Sequence, residues 1–217
     1  MRVPSWDYGD AYIRHPIKDD QIVQFDNGSM LKVHNIFEPL PEFMKQADLI
    51  FTDPPWNLGN LNSFYTKAGR DDYQDSFELF YKRLFECIAE IRPSVCYVEV
   101  GKEYLAEFIF EMKKLYRHVT FFNSSYYHKK DKMCYVVRGG PMRVKLPLDY
   151  MDEENIIEWV CQKEDYACIG DLCMGRGLVA VNAYKNGKKF VGTELNHKRL
   201  SVTIERVYNM GGRYKIC

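Results

Sequence analysis

An apolar run from Ala47 to Thr52 ends on Asp53-Pro54-Pro55-Trp56, and no other stretch narrows the fold of this chain as much. A short run of this kind reads as a buried strand, and the two prolines stop it abruptly. Neither proline has an N–H to give and each fixes its own φ, so the loop is stiff. It sets a carboxylate, free carbonyls and an indole face together at the carboxyl end of a strand, where open α/β sheets bind their ligands. A plainer reading stays open at this point: a proline-rich turn whose Trp packs on the core.

A second stretch, Tyr166 to Gly177, is again a buried strand that runs into a glycine turn, Gly175-Arg176-Gly177. Beyond it Leu178, Val179, Val181, Ala183 and Tyr184 keep helical spacing, and a further strand, Lys189 to Thr193, ends on Glu194. Strand, glycine turn, helix, strand and acid is the dinucleotide-type order: the glycines let backbone approach a ligand, and the acid accepts hydrogen bonds from ribose hydroxyls. The third glycine of the pyrophosphate fingerprint is missing, which argues for a smaller ribose ligand than NAD.

At these residues the chain resembles the S-adenosylmethionine-dependent amino-methyltransferases, which methylate exocyclic amines of nucleic-acid bases. Asp53-Pro54-Pro55-Trp56 is similar to their catalytic Asp-Pro-Pro-Tyr/Trp motif, Asp171 to Gly177 to their Asp-x-Phe-x-Gly-x-Gly cofactor motif, and Gly192-Thr193-Glu194 to their ribose-binding acid. Leu172, Cys173 and Arg176 replace the more usual Pro, Phe and Ser. With the catalytic motif first, the order is that of the permuted beta class. The resemblance implies a Rossmann-like class I methyltransferase fold of the α/β class: a seven-stranded, mostly parallel sheet with one antiparallel hairpin strand, in permuted order.

It implies S-adenosyl-L-methionine as cofactor, held by Asp171, Cys173, Gly175, Gly177 and Glu194 with Asp53 alongside, and Asp53, Pro54, Pro55 and Trp56 as the catalytic set. Enzymes of the family that act on cytosine more often carry Ser where Asp53 stands, so the resemblance points to adenine N6 in DNA. The base would leave a duplex or come from a single strand. Three readings stand beside it: cytosine N4, RNA adenine, and a non-catalytic nucleic-acid-binding subunit that supports an active homologue.

The 217 residues suit one methyltransferase domain, and 30 basic against 30 acidic residues give no overall field toward DNA. Nucleic acid must then meet a local patch. Asn57, Lys67 and Arg70 lie in residues 57–75, which read as a mobile substrate loop. Tyr127, His128, Lys129 and Lys130 lie at a hairpin tip where aromatics and cations mix. Residues 1–25, aromatic and charged without a period, read as an N-terminal arm. Strands are expected near residues 30, 50, 97, 121, 134, 169 and 191, and helices over 76–91, from 101 to about 115, over 153–162 and over 196–208.

The seven cysteines lack Cys-x-x-Cys spacing and read as reduced core residues, with no metal site. No apolar run reaches membrane-spanning length, so the expectation is a cytoplasmic protein. Only Arg138 to Asp152 is available for target recognition, too short for a module of its own. Selectivity must be low or come from the 57–75 segment, the N-terminal arm, or a second chain in a homodimer or partner complex.

Overall fold

The computed structural model describes residues 8–71, 73, 75–126 and 129–217, with only the backbone at 130 and 131. A short helix α1 (Ala11–Arg14) precedes the hairpin β1 (Ile22–Phe25) and β2 (Met30–Val33). Strand β3 (Leu49–Thr52) leads through helices α2 (Leu58–Lys67) and α3 (Phe77–Ile91) to β4 (Val95–Val100). Helix α4 (Leu105–Leu115) is followed by the long hairpin β5 (His118–Tyr126) and β6 (Lys129–Gly140), then β7 (Met151–Asp152) and α5 (Glu153–Lys163). The chain closes with β8 (Cys168–Asp171), α6 (Leu178–Lys185), β9 (Lys189–Glu194), α7 (His197–Asn209) and β10 (Tyr214–Ile216).

All ten strands join one sheet, ordered β10-β1-β2-β9-β8-β3-β4-β6-β5-β7. The five from β2 to β4 are parallel neighbours, while β6 runs antiparallel to both β4 and β5. The seven expected strands are all present, but the sheet is wider than seven. β1 and β10 extend one edge and β7 the other. These additions are two to four residues long, too short to carry a period, and become strands only through their neighbours. The N-terminal arm is corrected accordingly. Its last residues, Ile22 to Phe25, lie inside the sheet between β2 and β10, with Val23 and Phe25 buried.

One apolar core lies on each face of the sheet. Leu49, Phe51, Tyr97, Ile156 and Val181 pack on one side; Ile50, Val98, Leu84, Phe85 and Phe108 pack on the other. Alternation along β3 therefore serves both faces, as expected of a strand covered twice. Five of the seven cysteines are buried, four of them in these layers, and no disulfide forms among the described residues. Nor is any of their helices long and apolar enough to cross a membrane.

The second correction concerns residues 57–75. Within this segment Leu58–Lys67 form helix α2 where a loop was expected. Asn57 caps it by accepting the Asn60 N–H at 2.9 Å, and Leu61 and Tyr65 are buried on its inner face. Tyr65 donates its hydroxyl to Asn35 at 3.0 Å, and Arg70 pairs with Asp19 at 2.7 Å. The Asn and Gly content hides an apolar spacing at 58, 61, 64 and 65 that packing completes. Residues 72 and 74 lie outside the described residues. We expect Asn57→Ala to cost about 1 kcal/mol in urea unfolding, with faster hydrogen exchange at Asn60 and Leu61. A mobile segment would lose neither stability nor protection.

Candidate active site

From β8 the chain moves to β9 on one side, and from β3 it moves to β4 on the other. The loops after these adjacent parallel strands therefore diverge and open a crevice at their carboxyl ends, the switch point of an open sheet. The register aligns Leu49 with Ile169 and Ile50 with Gly170. This alignment brings Asp53 and the turn Leu172 to Gly177 to the same edge. The two stretches singled out in the sequence meet there.

Pro54 and Pro55 are buried, while Asp53 reaches the crevice surface. The Trp56 indole Nε1–H donates to Asp53 Oδ1 at 3.0 Å. Desolvation by the surrounding protein pushes the Asp53 carboxyl up to about 6, against the pull of that hydrogen bond and of the Arg199 charge. Trp56 lies against Gly101, where an added Cβ would be 3.0 Å from the ring. Its other neighbours come from the long hairpin. Tyr126 meets it edge-on at 4.8 Å between centroids, and Lys132 Nζ stands 4.2 Å from the Tyr126 ring and 5.9 Å from the Trp56 ring.

Across the crevice, both oxygens of Glu194 are engaged by backbone. Oε2 accepts the Gly175 N–H at 2.6 Å and Oε1 accepts the Asn196 N–H at 2.9 Å. The Leu195 N–H bonds the same carboxylate, which leaves room for a further donor on one oxygen. Burial raises the Glu194 carboxyl, while Arg199 and the backbone N–H groups oppose the shift. Gly175 and Gly177 both have positive φ, +54 and +73. They differ in what lies beside them. A Cβ on Gly175 would find only Arg199 Nη1, at 4.0 Å, whereas one on Gly177 would strike Thr203 of α7 at 2.3 Å. Gly175 thus leaves room in the crevice, and the space beside Gly177 is already filled by protein.

Asp171 is buried and accepts the Cys173 N–H at 3.0 Å. Desolvation pushes its carboxyl up to about 7, opposed by that N–H and the nearby Thr52 hydroxyl and aided by the charges of Asp53 and Glu194. Cys173 is half-buried at the same turn, its thiol held well above the ordinary range by burial and then by Asp171. Among the proposed nucleic-acid residues, Asn57 caps α2 and Arg70 is tied to Asp19. Lys67 is exposed at the last turn of α2, and Lys129 is exposed on β6. Tyr127, His128 and the Lys130 side chain lie outside the described residues.

Sequence reasoning placed Tyr126 in the hairpin tip without a link to Trp56, and it missed three further participants. Arg199 approaches from α7, with its guanidinium 4.6 Å from the Phe64 ring and its charge felt at both Asp53 and Glu194. Glu99, one position beyond the Val98–Thr52 rung, is buried and raised well above the carboxylate range by burial, then by Asp53. Lys132, beside Tyr126, completes the three. They come from elements remote from the two motifs in sequence, so no local pattern marks them. Among the described residues no cluster of His, Cys, Asp and Glu could hold a metal. The crevice is therefore acid-lined with one guanidinium, which fits a ligand offering hydroxyls and positive charge.

The raised Asp171 has a consequence for stability. Its folded form keeps a proton that the unfolded chain has lost at its ordinary 3.8, so its contribution turns unfavourable as pH rises from about 4 to 7. Asp171→Asn removes this contribution. In urea titrations the variant should gain on the native chain across that window and hold a constant advantage above it. A stability difference independent of pH would contradict the raised carboxyl.

No family model matches the chain, and no curated protein matches it. Solved structures do. M1.HpyAVI aligns with a TM-score of 0.56 at 14% identity, over 82% of this chain and 98% of that one. TTHA0409 from Thermus thermophilus, described as a candidate DNA modification methylase, aligns with a TM-score of 0.58 at 16% identity, over 82% and 94%. Structures of M1.HpyAVI with SAM and of TTHA0409 with S-adenosyl-L-methionine align comparably, with TM-scores of 0.57 and 0.56. At such low identity the likeness is one of fold: this chain has the α/β fold of M1.HpyAVI and TTHA0409.

Proposed function

We propose that this chain is an S-adenosylmethionine-dependent methyltransferase that acts on the exocyclic N6 of adenine in DNA, with the permuted motif order of the beta class. The observation that carries the reading is the meeting of Asp53, after β3, with the glycine turn after β8 and with Glu194, the last residue of β9, which binds Gly175. Support also comes from the fold shared with structures solved with this cofactor, and from a crevice of acids beside an open glycine.

Glu194 would hold the ribose hydroxyls of the cofactor, the Gly175 backbone would border it, and Asp171 and Asp53 would face its positive end. Bound there, the cofactor supplies a methyl group on a positively charged sulfur. The remaining work belongs to the chain. An amine conjugated to an aromatic ring is a poor nucleophile. Asp53 accepts one amine N–H and the Pro54 carbonyl accepts the other, which draws the nitrogen lone pair out of conjugation. Once methylated, the nitrogen gives up a proton, and the Asp53 carboxylate receives it.

Trp56 stacks on the base after it leaves the helix, a contact worth about 1–3 kcal/mol. Lys67 and the hairpin lysines touch the phosphates. The connector from 138 to 152 carries no module of its own, so target choice falls to these surfaces or to a second chain. An Asp at residue 53, where a Ser would suit cytosine, favours adenine.

The test is methyl transfer from labelled cofactor to mixed DNA and RNA, followed by nucleoside analysis. The expected product is N6-methyladenine in DNA. Asp53→Ala should abolish transfer while calorimetry still detects cofactor binding; retained transfer would remove Asp53 from its role. Activity of the native chain should rise through about pH 6 as Asp53 ionises. Labelled N4-methylcytosine or methylated RNA would assign a different substrate.

A further inference from the structure

Base stacking needs only an aromatic face, yet Trp56 also spends its N–H on Asp53. We infer that Trp56 is a positioning residue for Asp53: its indole N–H ties down one carboxylate oxygen and leaves the other to receive the amine. The inference rests on Asp53 being the amine acceptor and deepens that reading.

Three observations carry it. The bond is direct, Nε1 to Oδ1 at 3.0 Å. The ring that donates it is itself held: Gly101 lies against one part, Tyr126 closes on its edge, and Lys132 stands above both aromatics. The loop between the partners contains Pro54 and Pro55, which fix its backbone. The torsion that turns a carboxylate is broad and two-fold, so an Asp at the crevice surface would otherwise sample many orientations. A Phe or Tyr ring at position 56 could stack on a base but has no N–H in that place.

The donated hydrogen bond also favours the ionised form of Asp53. Other groups act at the same point. Arg199 of α7 draws the carboxyl down, while Glu99 of β4 and Asp171 and Cys173 of the turn after β8 sense its charge. Each of these persists when only the ring at 56 is changed; burial lost with a smaller ring would lower the Asp53 carboxyl, so a rise on its replacement reports the indole N–H.

The test is made on the full chain. In 15N spectra, the Trp56 indole signal, assigned by its absence in Trp56→Phe, should move with pH at the midpoint of the Asp53 carboxyl, near 6. Asp53→Asn should abolish that movement. In Trp56→Phe the Asp53 midpoint should rise, and kcat should fall on the order of tenfold or more while KM for DNA changes little.

An indole signal indifferent to Asp53, or a Trp56→Phe variant that raises KM alone, would overturn the inference and leave Trp56 a stacking residue. The spectra of the native chain and Asp53→Asn decide the matter even if the Phe variant does not fold. Failure of the native chain to methylate any nucleic acid would refute the proposed function instead, while those spectra still judge the bond.

Discussion

The pairing of β3 with β8 is the constraint on which the rest depends. Its register is fixed at the lower end by Asp48, whose two carboxylate oxygens accept the N–H groups of Ala167 and Cys168 at 2.9 and 3.0 Å. The Asp48 carbonyl also accepts from Ser94, which brings β4 into line. Higher up, Gly170 lets the layers close: a Cβ there would lie 2.5 Å from Ile50 and 2.8 Å from Ala47. Because a slip by one residue turns a strand's side chains to the opposite faces, this anchoring decides whether Asp53 and the glycine turn share an edge.

The crevice built on that pairing is electrostatically unbalanced. Asp53, Asp171, Glu194 and Glu99 are each raised by desolvation, and Arg199 is the cation whose charge reaches Asp53 and Glu194. Burying carboxyls without matching cations weakens a fold, and such departures cluster where binding or catalysis takes place. A ligand that brings positive charge and hydroxyl donors would relieve the imbalance. The arrangement thus explains in one stroke why the site opposes stability and what kind of molecule it suits.

The parts of the site written in the sequence were those that punctuate it. Asp53-Pro54-Pro55 and Gly175-Arg176-Gly177 end buried strands, so local chemistry marks them before any contact is known. Strands β3, β4, β8 and β9 were legible because residues buried on both faces leave dense apolar runs, whereas β2 showed through its alternation. Helix α2 was not, since its Asn and Gly suggest a loop and only Leu61 and Tyr65, buried against the body, make it a helix. β1, β7 and β10 owe their existence to partners. Arg199, Glu99 and Lys132 were invisible because their significance lies in where tertiary packing puts them. Gly177 was legible as a glycine but not for its reason, which is the nearness of Thr203.

One asparagine knits the walls of the crevice together. Asn196 gives its N–H to Glu194, receives the Lys198 N–H on its side-chain oxygen at 2.9 Å, and donates its amide to the Lys67 carbonyl at 2.8 Å. The acid, the start of α7 and the end of α2 thereby share a single buried junction. Displacing any one of the three breaks a bond belonging to another. The acid at the end of β9 and the last turn of α2 are thus mechanically linked through one side chain, so that neither wall of the crevice can shift alone.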